Sequence, residues 1–406
     1  MRKIFIILIA AITAIITSCS LSETSNMEKM YFFTTSDGGN IGLHGCAFST
    51  PLKINPVTNS CTTVCLDPLC DKSFECTLFN ARARAVSGDT MFFVLISSAD
   101  DESPDDNKKL CAYNMTSGNL TVLSAFENYP IFVSTYGDWL YYYELSTIEK
   151  AIDGKSQVEA TLCRIKGKSK KIEQLTKGDE FNSAYTFTYM SLPQIIGFDD
   201  NKIVWNFWNE NSGETECYRT DLRNSNKEMI YNTADDITNV KYSEGKVFYT
   251  KPIETSVDEL TSKYEREKRY RENILYSFEI STGEINEVCS YVAQYAVIGD
   301  MVYYTMCQDE IPKIVWEMGY EFDWYGGKIY SVNINGENTS LTAELDNINL
   351  VDFIDAKKIG DTIYLQMSFY EWSDNDFYKS GKEYSTSNKT LILNCLTGEH
   401  SIAEWK

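Results

Sequence analysis

Histidine is almost missing from this chain of 406 residues, with only His44 and His400 present. A Ser-His-Asp triad would have to use His44 alone, because His400 follows the last glycine turn and falls on the face opposite the long loops. No Gly-x-Ser-x-Gly elbow supports such a triad either. Basic residues are also scarce: 37 Lys and Arg stand against 58 Asp and Glu, a net charge of -21. A surface this acidic repels phosphate backbones, which argues against nucleic acid as a partner and leaves cationic ligands, divalent ions or neutral sugars compatible. Beyond the first residues no apolar run reaches the ~18 needed to span a bilayer. The acidic stretch Asp100-Asp101-Glu102, Asp105-Asp106 lacks the Asp-x-Asp-x-Asp-Gly spacing of a calcium loop and reads as a solvated charge run. No cofactor and no metal is expected.

What the chain does have is a repeat. Gly299-Asp300-Met301-Val302-Tyr303-Tyr304-Thr305 is a tight turn followed by a β-branched and aromatic strand. Near-copies begin at Gly88-Asp89, Gly137-Asp138, Asp200-Asn201, Glu244-Gly245 and Gly360-Asp361, and Met30-Tyr31-Phe32-Phe33 keeps the apolar run without the turn. A second motif follows each after a variable gap, as in Leu52-Lys53-Ile54-Asn55, Leu110-Cys111-Ala112-Tyr113, Leu162-Cys163-Arg164-Ile165, Cys217-Tyr218-Arg219-Thr220, Leu275-Tyr276-Ser277-Phe278, Ile329-Tyr330-Ser331-Val332 and Leu391-Ile392-Leu393-Asn394. Most of these run into a glycine turn such as Thr282-Gly283-Glu284 and then a short outer strand.

Each unit thus reads as four antiparallel strands, and seven such units predict an all-β fold, a seven-bladed β-propeller over residues 30–406. The first unit starts at its aromatic strand, so its blade has three strands unless residues 22–28 supply the fourth. The tight turns are expected on one face. The second-to-third strand loops and the crossovers between blades are expected on the other, with nearly all the insertions: 97–109, 144–161, 252–273, 308–327 and 369–389. Ser256-Val257-Asp258-Glu259 is a capping-box pattern that predicts a short charged helix within the third of these.

Aromatic side chains beside carboxylates hold sugar rings or peptides, by stacking area and by fixing hydroxyls or amines. Trp316, Tyr320, Trp324, Tyr325 and Trp372 lie in the insertions and are the candidate ligand contacts. The alternative is that they pack the long loops onto one another. The function expected is binding of a protein, peptide or glycan through the looped face rather than catalysis. An extracytoplasmic glycan-active enzyme using paired carboxylates, or an envelope assembly or sensory scaffold, are the alternatives.

The amino terminus sets the compartment. Met1-Arg2-Lys3 precedes an apolar run to Ile16 that is too short for a membrane span, which marks residues 1–18 as an export signal. Ile16-Thr17-Ser18-Cys19 resembles the lipobox of bacterial lipoproteins. The resemblance implies acylation of Cys19, a tether over residues 19–29 and a body held at the extracytoplasmic face of the cell membrane by its lipid anchor only. Removing Arg2 and Lys3 with the signal takes the charge to -23. Cys46, Cys61, Cys65, Cys70 and Cys76 are read as structural cysteines carrying one or two disulfides, since their spacings lack the paired C-x2-C of zinc modules. Cys111, Cys163, Cys217, Cys289, Cys307 and Cys395 are read as small buried hydrophobes in or beside strands.

The repeats, with the block Cys65-Leu66-Asp67-Pro68-Leu69-Cys70-Asp71-Lys72-Ser73-Phe74-Glu75-Cys76, resemble the β-propeller lipoproteins of low-G+C Gram-positive bacteria. These carry a domain of unknown function similar to the low-density-lipoprotein-receptor-related propeller. Similar proteins have a histidine two residues after the second cysteine, where this chain has Lys72, so no metal role is carried over. The resemblance implies a cell-surface propeller and no particular substrate.

Overall fold

The computed structural model describes residues 31–32, 52–55, 60–63, 82–87, 89–95, 108–126, 130–152, 155–167, 171–175, 192–209, 212–253, 273–306, 328–345, 348–359, 362–371, 386–394 and 400–403. All regular structure among these residues is antiparallel sheet, and within each sheet every strand pairs with the next one in the chain. The first sheet holds β1 (Tyr31–Phe32), β2 (Leu52–Asn55) and β3 (Ser60–Thr63). The second holds β4 (Arg82–Ser87), β5 (Thr90–Leu95), β6 (Lys108–Asn114) and β7 (Leu120–Phe126). The third holds β8 (Ile131–Tyr136), β9 (Trp139–Ile152), β10 (Lys155–Lys166) and β11 (Glu173–Gln174), and the fourth β12 (Gln194–Asp199), β13 (Lys202–Asn209), β14 (Glu214–Asp221) and β15 (Glu228–Thr233). The fifth has seven strands: β16 (Thr238–Ser243), β17 (Lys246–Pro252), β18 (Asn273–Glu279), β19 (Ile285–Ile298), β20 (Met301–Met306), β21 (Lys328–Asn333) and β22 (Ser340–Glu344). The sixth holds β23 (Ile348–Ile359), β24 (Thr362–Glu371), β25 (Thr386–Asn394) and β26 (His400–Ala403).

The repeat motifs explain this order. Within the second to sixth sheets each aromatic motif forms a strand, and each second motif forms the strand paired beside it. Gly137 and Gly299, at φ +55° and +58°, open two-residue hairpin loops in which only the first residue is left-handed, the type II′ pattern that suits glycine. Asp200-Asn201 and Glu244-Gly245 instead have both residues left-handed, the type I′ pattern. The copies therefore differ in turn chemistry while keeping the two-residue length that fixes register.

Contacts between the first strands of successive units order the sheets. β4 lies against β8, β8 against β12, β12 against β16 and β19 against β23, while β23 meets the first sheet at β1. Inner strands thus pack side by side from sheet to sheet, and the arrangement is propeller-like. Polar contacts tie the inner strands together: Thr135 Oγ1 donates to the Val86 carbonyl at 2.6 Å, and Lys241 Nζ donates to the Tyr295 carbonyl at 2.6 Å. At Gly197 on β12 an added Cβ would come within 2.8 Å of the Tyr242 side chain on β16, so the approach there requires glycine.

The core lies between neighbouring sheets. Alternation along each strand sends every second side chain to the preceding sheet and the others to the following one. Ile203 and Trp205 thus pack against Tyr141 and Tyr143 of the third sheet, while Cys217 packs with Val247 and Tyr249 of the fifth. Trp205 is fully buried, and its Nε1 donates to Thr220 Oγ1 at 2.8 Å. Arg164 latches the third sheet to the fourth. It donates to the Leu222 carbonyl at 2.7 Å, pairs with Glu173 at 2.8 Å and lies 4.1 Å from the centre of the Trp139 ring.

Two differences from the sequence reading have physical causes, and the strand count of the first sheet takes one of the two forms expected. The expected loop 144–161 is mostly a ladder: β9 and β10 pair from Trp139 opposite Lys166 out to Ile152 opposite Lys155. Its Thr147, Ile148, Val158 and Thr161 suit an extended chain, and polar composition alone does not end a strand. Secondly, the expected boundary between two four-stranded units is bridged by β19, whose first half pairs with β18 and whose second half pairs with β20. No glycine or proline interrupts Ser290-Tyr291-Val292, and the strand runs through the crossover with a local irregularity at Tyr291, whose φ is +63°. Finally, the first sheet has three strands among the described residues, the smaller of the two forms expected for it.

Candidate functional site

Hydrogen bonds between the turns of one sheet establish which ends of the strands face the same way. Met115 N donates to the Asp89 carbonyl at 2.8 Å, Ile280 N to that of Gly245 at 3.1 Å and Ile334 N to that of Asp300 at 3.0 Å. The first-to-second and third-to-fourth turns of a sheet therefore sit together on one face, the turn face. Antiparallel alternation puts the second-to-third connections and the crossovers on the opposite, loop face.

The expected ligand contacts Trp316, Tyr320, Trp324 and Tyr325 lie between β20 and β21, and Trp372 directly follows β24. All five, and the capping-box segment at Ser256, fall outside the described residues. So do Cys19, His44, Cys46, Cys65, Cys70, Cys76, Cys307 and Cys395. Cys61 sits on β3 opposite Ile54, and His400 opens β26 opposite Leu393, at the turn-face end where the repeat put it.

The described thiols follow the sequence reading. Cys111, Cys163 and Cys217 are unpaired and buried on β6, β10 and β14, one in each of three successive sheets, and Cys289 is unpaired and half-buried on β19. Burial pushes the Cys111 thiol up to about 11, and that of Cys217 to about 12. Burial also raises Cys163 and Cys289 to about 12, assisted by nearby Glu144 and Glu287 respectively. These thiols are protonated and unreactive at neutral pH. Among the described residues no group of three or more His, Cys, Asp or Glu is arranged to hold a metal ion, and no helix is long and apolar enough to cross a membrane.

Two exposed aromatic rings on the loop face were not singled out from the sequence. Trp208, near the loop-face end of β13, is 42% exposed, although Trp205 three residues earlier is fully buried. Tyr291, at the crossover within β19, is 51% exposed and has φ +63°. A bulky residue in the left-handed region is strained by about 1–2 kcal/mol. Val292, next to it, pairs with both Asn273 at the start of β18 and Met306 at the end of β20. Tyr291 therefore stands between the roots of the insertions at 254–272 and 307–327.

Charged groups accompany these rings. In the crossover from β15 to β16, Asp235 pairs with Lys251 of β17 at 2.7 Å, both side chains partly exposed. The hydrogen bond from Lys251 holds the Asp235 carboxyl below its ordinary range, and that carboxylate in turn holds the Lys251 ammonium above its own. Both stay charged at neutral pH. Beneath them Tyr231 and Tyr249 stack with centroids 5.5 Å apart and hydroxyls 3.1 Å apart, closing the seam between the fourth and fifth sheets. The arrangement offers stacking area with a donor and an acceptor beside it.

No protein-family model and no curated protein matches this chain. Solved structures do. One of two prolyl endopeptidases analysed for the role of inter-domain dynamics in catalysis and specificity aligns over 93% of this chain with a TM-score of 0.51 and 10% identity. The chain spans 50% of that protein's length. The β-propeller domain of the Trilobed protease from Pyrococcus furiosus aligns over 79% of this chain and 91% of its own, with a TM-score of 0.44 and 10% identity. A structure of the nidogen/laminin complex aligns over 78% of this chain and 94% of its own, with a TM-score of 0.39 and 7% identity. At these identities the similarity speaks to fold alone.

Proposed function

We propose that this chain is an exported, lipid-anchored binding protein whose seven-bladed β-propeller engages a protein, peptide or glycan through its loop face. Seven blades follow if β19 is counted twice, as the fourth strand of one blade and the first strand of the next. The first blade then has three strands and the other six have four. The anchor is Cys19, acylated after removal of residues 1–18, and the body sits outside the cytoplasmic membrane.

The single observation that carries the binding reading is the exposure of Trp208 and Tyr291 on the face where the insertions are rooted, the second of them at a strained backbone position. Rings left in water on that face, with the Asp235–Lys251 pair between the sheets, are the complement of a ligand with both apolar faces and polar edges. Trp316, Tyr320, Trp324, Tyr325 and Trp372 would extend the same surface.

The test uses the mature lipoprotein in detergent, screened on a glycan array and in pull-downs from envelope extracts. It is repeated for Trp208→Ala with Tyr291→Ala and for Trp316→Ala, Trp324→Ala and Trp372→Ala together. Specific capture that both sets of changes leave intact would refute the loop face as the binding surface. Labelling with palmitate, lost in Cys19→Ala together with membrane retention, is the expected result for the anchor.

A further inference from the structure

From the seam between the fourth and fifth sheets we infer a carbohydrate subsite, specific for a neutral glycan with vicinal hydroxyls and built on Trp208, Asp235 and Lys251. This rests on the binding reading above and narrows it to one ligand class and one place. The register defines the wall. Trp208 is directly opposite Thr215, and Thr215 is directly opposite Thr233, so the three side chains stand in a row on the same side of the fourth sheet. Phe207 packs toward the third sheet, so Trp208, its neighbour on the strand, points toward the fifth. Asp235 N donates to Thr233 Oγ1 at 3.1 Å, which sets the carboxylate just past the end of that row. Lys251, on the fifth sheet, meets it there at 2.7 Å.

From Trp208 to Thr233 is two strand spacings, ~10 Å, a span for more than one sugar ring. The chemistry of the two ends is complementary to a sugar. A pyranose stacks its C–H face on the indole, which is open to solvent. At the other end a carboxylate and an ammonium one hydrogen-bond length apart present an acceptor and a donor together. Adjacent hydroxyls on a sugar can meet both at once, one donating to Asp235 and the other accepting from Lys251. The ion pair is already formed and its side chains are 54% and 31% exposed, so little desolvation or reorganisation is needed to use it. The acidic balance of the chain, -21 overall, selects against uronic acids and sulfated or phosphorylated sugars.

The probes are maltotriose, cellotriose and tri-N-acetylchitotriose, with trigalacturonic acid and a tri-alanine peptide as controls, titrated into the full mature lipoprotein in detergent and followed by tryptophan fluorescence and saturation-transfer NMR. The expected result is binding of at least one neutral trisaccharide. Its affinity falls tenfold or more in Trp208→Ala, less in Trp208→Phe, and about tenfold in Lys251→Met. Thermal unfolding of the Trp208 variants should stay at the wild-type midpoint, since that ring lies outside the core. Preferred binding of trigalacturonic acid or the peptide would overturn the inference, as would sugar binding that ignores Trp208 and Lys251. If the array and pull-downs find a ligand that these substitutions do not touch, this subsite falls while the binding reading stands. If they capture nothing, both fall.

Discussion

The two faces of the ring are built on different rules. On the turn face the backbone decides: loops of two residues with fixed left-handed positions repeat from sheet to sheet. Three of the third-to-fourth turns are closed there by an Asn or Asp side chain that accepts from a backbone N–H two to four residues on. Asn114 Oδ1 accepts from Ser117 N at 2.7 Å, Asp221 Oδ1 from Arg223 N at 2.8 Å and Asn333 Oδ1 from Glu337 N at 2.9 Å. On the loop face the connections share no length or pattern, and the described residues there hold Trp208, Tyr291 and the Asp235–Lys251 pair out to solvent. One face conserves register and leaves little room for variation. The other is freed by that register to vary, which is how propeller-like scaffolds acquire binding surfaces.

The sharpest way to break this contrast is on one strand, β13. Trp205→Ala should cost about 3–5 kcal/mol, because it leaves a cavity between two sheets and orphans Thr220 Oγ1. Trp208→Ala should change stability by no more than ~0.5 kcal/mol. Urea unfolding of the pair decides it; equal losses would mean that Trp208 belongs to the core and that the loop face is not set apart.

The next effect concerns the latch beneath the turn face. Arg164→Met should cost about 2 kcal/mol by leaving the Leu222 carbonyl and Glu173 without their charged donor. It should also flatten an acid limb of the stability curve. The hydrogen bond from Arg164 lowers the Glu173 carboxyl below its ordinary 4.5. Its contribution is therefore full above pH 4.5 and lost as the pH falls through the lower folded-state value. Unfolding midpoints measured from pH 6 to pH 3 should drop less steeply in the variant than in the wild type.

Smallest is a pair of exchanges at left-handed positions. Gly137→Ala places a side chain at φ +55° and should destabilise by about 1 kcal/mol. Tyr291→Gly relieves the left-handed strain at φ +63° and should cost less than an ordinary Tyr→Gly change, with a stability within ~1 kcal/mol of wild type or above it. A loss of several kcal/mol at Tyr291 would show that its ring is packed rather than presented.

The sequence made the turn face legible and the loop face only in outline, for a physical reason. Gly-Asp, Asp-Asn and Glu-Gly turns each declare a left-handed residue, and Tyr, Phe and Val after them declare a strand, so local chemistry alone places those elements. Cys111, Cys163 and Cys217 were legible as core because each sits in the second motif, on the strand paired beside the aromatic one. Trp208 was not: the run Trp205-Asn206-Phe207-Trp208 alternates as a strand should, and only the height of the neighbouring sheet decides which ring stays wet. The extension of β9 and β10 was hidden by polar composition, and the fusion through β19 by the repeat, which places a unit boundary there although no glycine or proline marks one. Both are cases in which pairing partners, invisible in the local chain, override the expected boundary.

The unbroken course of β19 has a mechanical meaning. A strand that is hydrogen-bonded as rim to one neighbour and as hub to the next works like a staple through two adjoining segments of a wheel, so these cannot be pried apart without shearing a ladder. Elsewhere among the described residues, segments are held by side-chain packing and side-chain hydrogen bonds. Were the wheel to loosen, the slack would appear where the short first sheet abuts the last, across the wheel's own beginning and end.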